Sequence, residues 1–362
     1  MSDIEKRKQR HIRISLEENV KTEVGTGFND VTLVHRCLPE IDLFEVNTET
    51  SLFGKNLKAP LIISAITGGT SYAKDINKVL ASAAEKTGIG IGVGSQRIAI
   101  EKPEVIDTFS IVREVAPSAL ILGNVGCPQI SLGWGVEEAQ KCVDMLDADA
   151  LAVHMNPLQE AVQVGGDTNY SGIIEKIKGI TEKLSVPVVM KETGAGIAHE
   201  EAEKLETVGV AGLEISGVGG TSWAAVEHHI AKEVGVGDME FLGKALWNWG
   251  IPTAVSVAET SLNTKLKIIA SGGIRTGLDM AKAIALGADA AGMALPFLAE
   301  AAQGEEALLE YIRRVVLEFR TVMFLVGARN VEDLKKAPAV VTGMTAEWLK
   351  HRGFDPEDFS FR

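Results

Sequence analysis

From Ala150 to Glu160 the chain reads ALAVHMNPLQE, an apolar run followed by His154, Asn156, Gln159 and Glu160 crowded around Pro157. The apolar residues have the length and character of a buried strand, and a proline stops one. An imidazole, two amides and a carboxylate are then delivered together at its end. Groups of these types grip anions, relay protons and hold hard cations.

The same habit recurs along the chain. Small or polar residues close other apolar runs as Thr67-Gly68-Gly69, Gly94-Ser95-Gln96-Arg97, Asn124, Lys191-Glu192, Ser216 with Gly219-Gly220-Thr221, Ser271-Gly272-Gly273-Ile274-Arg275 and Gly292-Met293-Ala294. Glycines in the last two sets let backbone N–H groups approach an anion closely, and the loops after the last two strands of an α/β barrel are the usual phosphate grip of that fold. A phosphorylated cofactor is implied. Lys191 can reach the electron-rich edge of a flavin ring, where a fixed positive charge stabilises the reduced anion. Thr67, Ser95, Asn124 and Thr221 offer donors and acceptors for the ring and its ribityl chain, so FMN is the expected cofactor. Taken singly, a glycine pair is a turn and a terminal lysine is solvated; the expectation rests on their shared position.

Positioning them requires a repeating scaffold. Apolar runs occur at Leu61–Ala65, Ile89–Val93, Ala119–Gly123, Ala150–Asn156, Val186–Lys191, Ala211–Ser216, Leu266–Ser271 and Ala290–Leu295. Most intervals hold a segment of helical period: Lys74–Thr87, Pro103–Val115, Val136–Leu146, Tyr170–Leu184 and Leu278–Leu286. Strands apolar on both faces and separated by helices form a parallel sheet, and eight such units predict a closed α/β structure, the (β/α)8 TIM barrel, with its site at the C-terminal strand ends. The chain divides as one domain: an N-terminal extension at 1–59, the barrel at 60–300, and a covering helix and tail at 301–362. That helix carries Leu308, Ile312, Val315, Phe319, Val322 and Val326 at the spacing of one buried stripe.

Composition narrows the partners. The 362 residues carry 36 basic and 49 acidic side chains, a net charge of -13, and a field of that sign repels polyanions; no nucleic-acid partner is expected. Cys37, Cys127 and Cys142 are odd in number and show no paired metal spacing, which suits a reducing cytoplasm. The stretch nearest to a membrane span, Leu308–Val326, contains Glu310, Arg313, Arg314, Glu318 and Arg320, so no membrane partner is expected.

The motifs AITGG at 65–69, GSQR at 94–97, HMNPLQE at 154–160, SGVGGTSW at 216–223 and SGGIR at 271–275, with RKxxH at Arg7–His11, resemble those of type 2 isopentenyl-diphosphate Δ-isomerase. The order runs through nearly the whole chain. Ile66, Met155 and Thr193 depart from the residues usual in that pattern, and none removes a functional group. The resemblance implies interconversion of isopentenyl diphosphate and dimethylallyl diphosphate by a 1,3-proton shift, with reduced FMN, Mg²⁺ and NADPH or NADH as flavin reductant. It implies substrate contacts at Arg7, Lys8, His11, Ser95, Gln96, Arg97, His154, Asn156 and Gln159, the last facing the alkene and working with the flavin N5. Flavin contacts are implied at Ala65, Ile66, Thr67, Ser95, Asn124, Lys191, Ser216, Thr221, Gly272, Gly273, Arg275, Ala294 and Leu295. Glu160 is the expected Mg²⁺ ligand, since that ion favours a carboxylate beside phosphate oxygens. Arg7, Lys8, His11, Arg97, His154 and Asn156 are expected to neutralise the diphosphate by charge-assisted hydrogen bonds, and the polar tail that holds the first three to order when substrate binds. A homo-oligomer, tetramer or octamer, is implied as well.

Three rivals make different demands. A 2-hydroxy-acid oxidase needs a His base with Arg clamps; His228 and His229 follow the sixth run, yet no Arg accompanies them. An inosine-monophosphate dehydrogenase-like enzyme needs a nucleophilic Cys on that loop, and none follows Cys142. A barrel that merely binds a phosphorylated ligand would show no turnover.

Overall fold

The computed structural model describes residues 3–361. Eight strands run parallel: β1 (Leu61–Ile63), β2 (Gly90–Gly92), β3 (Ile121–Gly126), β4 (Ala150–Met155), β5 (Val188–Glu192), β6 (Gly212–Glu214), β7 (Lys267–Ala270) and β8 (Ala290–Met293). Each bonds to the next, and β8 returns to β1 through Ala291↔Leu61, Gly292↔Ile62 and Met293↔Ile63. The expected (β/α)8 barrel is the fold, and every strand lies on its expected run. β3 continues past Gly123 because Asn124, Val125 and Gly126 pair with Ala152, Val153 and His154 of β4. Asn124 is therefore inside a strand, aimed at the barrel mouth.

The covering helix, Glu305–Leu325, buries Leu308, Ile312, Val315 and Phe319 as expected, but Met323 takes the next buried place and Val322 is only half-buried. It packs on the helices Ser71–Thr87, Gly277–Ala285 and Leu295–Ala301. A Cβ on Gly277 would collide with the backbone of Val315 and Phe319, so glycine is what allows the close approach. The segment beyond the helix is no loose tail. Ala339–Val341 pairs antiparallel with Val31–Leu33 of the N-terminal extension, and Leu349 and Phe359 are fully buried. Their apolar groups are too short to register as periodic segments.

The N-terminal extension closes both ends of the barrel. Its hairpin, Thr50–Leu52 with Lys55–Leu57, turns through Phe53 and Gly54 at φ of 47° and 81°, the left-handed pair that such turns require. Leu52 and Leu57 pack with Ile62, Leu122, Val189 and Ile269 and plug the bottom of the barrel. At the other end lies a helix, Asp3–Glu17, where a polar tail is expected from the sequence. Its charged residues hide an apolar pair, Ile12 and Ile14, that is buried. No helix among the described residues is long and apolar enough to cross a membrane.

Because Leu52 is 1% exposed, Leu52→Ala leaves a cavity in the barrel floor and is expected to cost about 3 kcal/mol, within the usual range for a buried leucine. Urea unfolding measures this; a loss below ~1 kcal/mol would show that the hairpin only rests on the barrel.

Candidate active site

Two adjoining lobes open at the C-terminal strand ends, of about 860 and 1030 Å³ counting their open mouths. Both suit small-molecule ligands. They share His11, Ala65, Ile66, Lys191, Thr193 and Trp223, so ligands in the two lobes would meet the same side chains.

The first lobe is built from glycine backbone. Ser216, Gly217, Thr221, Gly272, Gly273, Arg275, Gly292, Ala294 and Leu295 line it. Gly272 and Gly273 have φ of 97° and 78°, and a Cβ on either would strike the loop after β6, at Gly217 or Gly219. Two loops are thus packed backbone to backbone. Ser216 also has a positive φ, 41°, a strained conformation for a residue with a side chain; the backbone N–H donates to Ser271 Oγ at 3.0 Å. Among the described residues Arg275 has no carboxylate within ion-pair range, and its guanidinium donates to the carbonyl of Ile274 at 3.0 Å. Burial lowers its pKa. An unpaired cation in a glycine cradle suits a phosphate. The floor holds two buried polar atoms without a hydrogen-bond partner among the described residues, Ser64 Oγ and Glu214 Oε1, the latter 3.5 Å from Lys191 Nζ.

Into the second lobe project Arg7, Lys8, His11, Thr67, Ser95, Arg97, Asn124, His154, Asn156, Gln159 and Glu160. The Glu160 carboxylate is oriented on both oxygens: Asn156 Nδ2 donates to Oε1 at 2.8 Å, and the Asp167 N–H donates to Oε2 at 2.8 Å. Such an oriented carboxylate can serve as a ligand to a hard cation. Thr67, Ser95 and Asn124, expected at the flavin, lie in this lobe and not in the glycine lobe, so they can meet only the part of a ring that reaches the shared wall.

Gln159 is pinned at both ends of its amide. Asn156 Nδ2 donates to its Oε1 at 3.2 Å, and its Nε2 donates to Glu227 Oε1 at 2.9 Å. The same Glu227 oxygen lies 3.1 Å from His11 Nε2, and Glu227 Oε2 is buried without a partner. A hydrogen-bonded chain therefore runs from the N-terminal helix through Glu227 and Gln159 to Asn156 and Glu160. Sequence reasoning missed Glu227 and gave Trp223 no role. Both sit on a helix, Trp223–Val234, capped by Ser222, whose side chain accepts from the Ala225 N–H. They are four residues apart and so share a face; reading that segment as a loop concealed them. His228 and His229 of the same helix turn away, toward the carbonyls of Glu240 and Asn19, which removes the base that an oxidase would need.

Two expectations are corrected. Gln96 does not meet a ligand: it is fully buried, its Nε2 donating to Cys142 O at 2.8 Å and its Oε1 accepting from the Asn124 N–H at 2.8 Å. It ties β2 to β3. His154 is neutral in this pocket, because burial first, then Lys191 and Lys8, push its pKa down to about 3. Asn124 Nδ2 donates to Val93 O, which leaves Asn124 Oδ1 as acceptor for His154 Nδ1, 2.8 Å away; the imidazole proton sits there and Nε2 is bare. Arg97 reaches the lobe from a part-exposed pair with Glu101 at 2.7 Å. Lys8 fares similarly to His154: its amine donates to the carbonyls of Gly68 and Ser95 at 2.8 and 3.0 Å, and burial, with Arg7 beside it, lowers its pKa to about 7. Cys127 and Cys142 are buried thiols pushed up to about 12 and take no part.

Comparison with known proteins agrees with this architecture. A family model described as FMN-dependent dehydrogenase matches residues 12–107 and 136–341. An isopentenyl-diphosphate delta-isomerase of Methanosarcina barkeri is 48% identical over 99% of this chain and 98% of its own. One from Pyrococcus furiosus is 47% identical over 98% of this chain and 90% of its own. Among solved structures, a flavocytochrome b2 variant with sulfite bound superposes with a TM-score of 0.67 at 19% identity, covering 96% of this chain and 88% of its own. A mandelate oxidase variant with 2-hydroxy-phenylacetamide gives 0.63 at 17%, covering 94% and 99%. At these identities the two structures bear on the fold alone.

A doubly charged anion entering the second lobe raises the pKa of Lys8 and of His154, so binding takes up protons. The sign follows from linkage: with the free Lys8 pKa near 7, affinity falls as pH rises above that value, and about one proton is taken up per site at pH ~8. Titration calorimetry of a saturated five-carbon alkyl diphosphate, in two buffers of different ionisation heat, measures the uptake. Lys8→Met is expected to abolish most of it; heats independent of buffer in the wild type would contradict the assignment.

Proposed function

The chain belongs to the isopentenyl-diphosphate delta-isomerase family, and on that premise we infer that the glycine lobe holds its flavin and the second lobe its diphosphate substrate. It is an isomerase that interconverts isopentenyl diphosphate and dimethylallyl diphosphate, using FMN and Mg²⁺, with NADPH or NADH to reduce the flavin. The placement is carried by the shared wall, which lets a ring in one lobe face a hydrocarbon in the other.

The residues fit the cofactor. Gly272, Gly273 and Arg275, with the backbone at Ala294 and Leu295, would hold its phosphate, and Lys191 with the Ser64 hydroxyl would meet the ring. Reduced FMN, when bound, supplies an electron-rich face and a nitrogen that carries a proton, which an unactivated alkene needs because ordinary side-chain acids match it poorly. Mg²⁺ would be held by Glu160 and supply charge to the diphosphate oxygens.

The chain's own groups bind and orient. Arg7, Lys8 and His154 surround the diphosphate, Lys8 gaining charge as it enters, while Asn156 fixes Glu160 beside it. Ile66 and Trp223 exclude water from the hydrocarbon, and the indole face attracts positive charge that develops there. Gln159, locked between Asn156 and Glu227, holds a polar atom at the alkene. It is a poor base; the unpartnered oxygen of Glu227 behind it is the better store for a proton.

Copies of the chain assemble, on this reading, into tetramers or octamers, and exposed Leu38, Phe44, Phe241 and Trp249 offer apolar surface for it. Cys37, exposed and free, supports a reducing cytoplasm.

Proton NMR tests the activity: protein with FMN, Mg²⁺ and a reductant, given isopentenyl diphosphate in D₂O, should yield dimethylallyl methyl signals only while the flavin is reduced. Equal rates without flavin would refute it. Glu160→Gln should lower kcat/KM on the order of 100-fold or more, since even partners one step removed from a metal typically cost 10–100-fold, and lose Mg²⁺ dependence; retention of both places the metal elsewhere.

A further inference from the structure

The Glu214 carboxylate is buried at the floor of the glycine lobe, 3% exposed, and its Oε1 has no hydrogen-bond partner among the described residues. Lys191 stands directly opposite, since the register of β5 and β6 pairs Lys191 with Glu214. Its Nζ is 3.5 Å from that same oxygen, within ion-pair range but beyond a good hydrogen bond; the ammonium instead donates to the carbonyl of Glu192 at 2.8 Å.

Other charged groups near the floor are committed elsewhere. Glu192 Oε2 accepts from the backbone N–H groups of Thr193, Gly194 and Ala195 at 2.5–2.6 Å. His154 is neutral, and Arg275 lies at the glycine loops. A buried acid whose oxygen is met only by an ion pair at 3.5 Å is costly, and an apolar pair of similar volume would pack there at no such cost. The barrel keeps a carboxylate at the position from which it offsets the one lysine that faces the ring.

We propose that Glu214 is a positioning residue that meters the charge of Lys191 at the flavin: it offsets part of the ammonium field and holds the group back from the ring, which limits how strongly the reduced anion is favoured. The proposal rests on the placement of FMN in the glycine lobe. For an enzyme that needs its flavin reduced but passes no electrons to substrate, the ionisation of the reduced ring matters more than its potential, since that ring must carry and release a proton.

The test is anaerobic potentiometry of the FMN-loaded protein, together with absorption spectra of the reduced flavin across pH, which report its neutral and anionic forms. Glu214→Gln leaves Lys191 unopposed and is expected to favour reduction about tenfold, ~30 mV for a two-electron couple, with a larger anionic fraction at each pH. Lys191→Met should shift both readouts the other way. Should Glu214→Gln retain no flavin, Glu214→Asp, which keeps the charge and withdraws it, is expected to move both in the same direction as Gln by a smaller amount. An unchanged or lowered potential with an unchanged anionic fraction overturns the proposal. Failure of the wild type to bind FMN would instead overturn the placement on which it rests.

Discussion

The mouth of this barrel is governed by one electrostatic constraint: a chain of net charge -13 must hold two phosphorylated molecules side by side. Its cations have to be gathered and enclosed, because an open patch would be swamped by the surrounding acidic field. Enclosure carries a cost of its own, since burial disfavours the charged form. The structure shows the compromise. Lys8 is held by carbonyls with its pKa near 7, burial discharges His154, and Arg275, which cannot discharge, sits in the glycine cradle with no carboxylate in ion-pair range among the described residues.

Holding such a pocket ready requires rigid support. The barrel provides part of it through Gln96, buried between β2 and β3, and Asn124, which fixes the imidazole tautomer of His154. The rest comes from Glu227, which receives Gln159 and His11 on one oxygen and so connects the N-terminal helix to Gln159 and, through it, to Asn156. That helix lines both lobes through His11. The same hydrogen-bonded chain thus ties a residue that lines both lobes to the orientation of Gln159.

The barrel was legible from sequence because its strands are apolar on both faces and its helices amphipathic, so period alone separates them. Strand ends then located the polar residues. What stayed hidden was tertiary. Gln96 and Arg97 are adjacent in one motif, yet one points into the wall and the other to the mouth, and spacing does not distinguish them. Protonation states were read as ordinary because burial and neighbours, which set the His154 state, exist only in the fold. Glu227 and Trp223 are hidden because the glycine-rich run before them masks the start of their helix, and the N-terminal helix because charge masks its two buried isoleucines. The C-terminal strand is recognisable only beside its partner from the N-terminal extension.

The claim that two anions occupy two lobes across one wall is tested most directly by a crystal structure with FMN, Mg²⁺ and a saturated alkyl diphosphate. The flavin phosphate is expected at Gly272, Gly273 and Arg275, the diphosphate among Arg7, Lys8 and His154 with its metal on Glu160, and the ring against Ile66 and Lys191. Reversed occupancy, or a diphosphate seated in the glycine lobe, would contradict it.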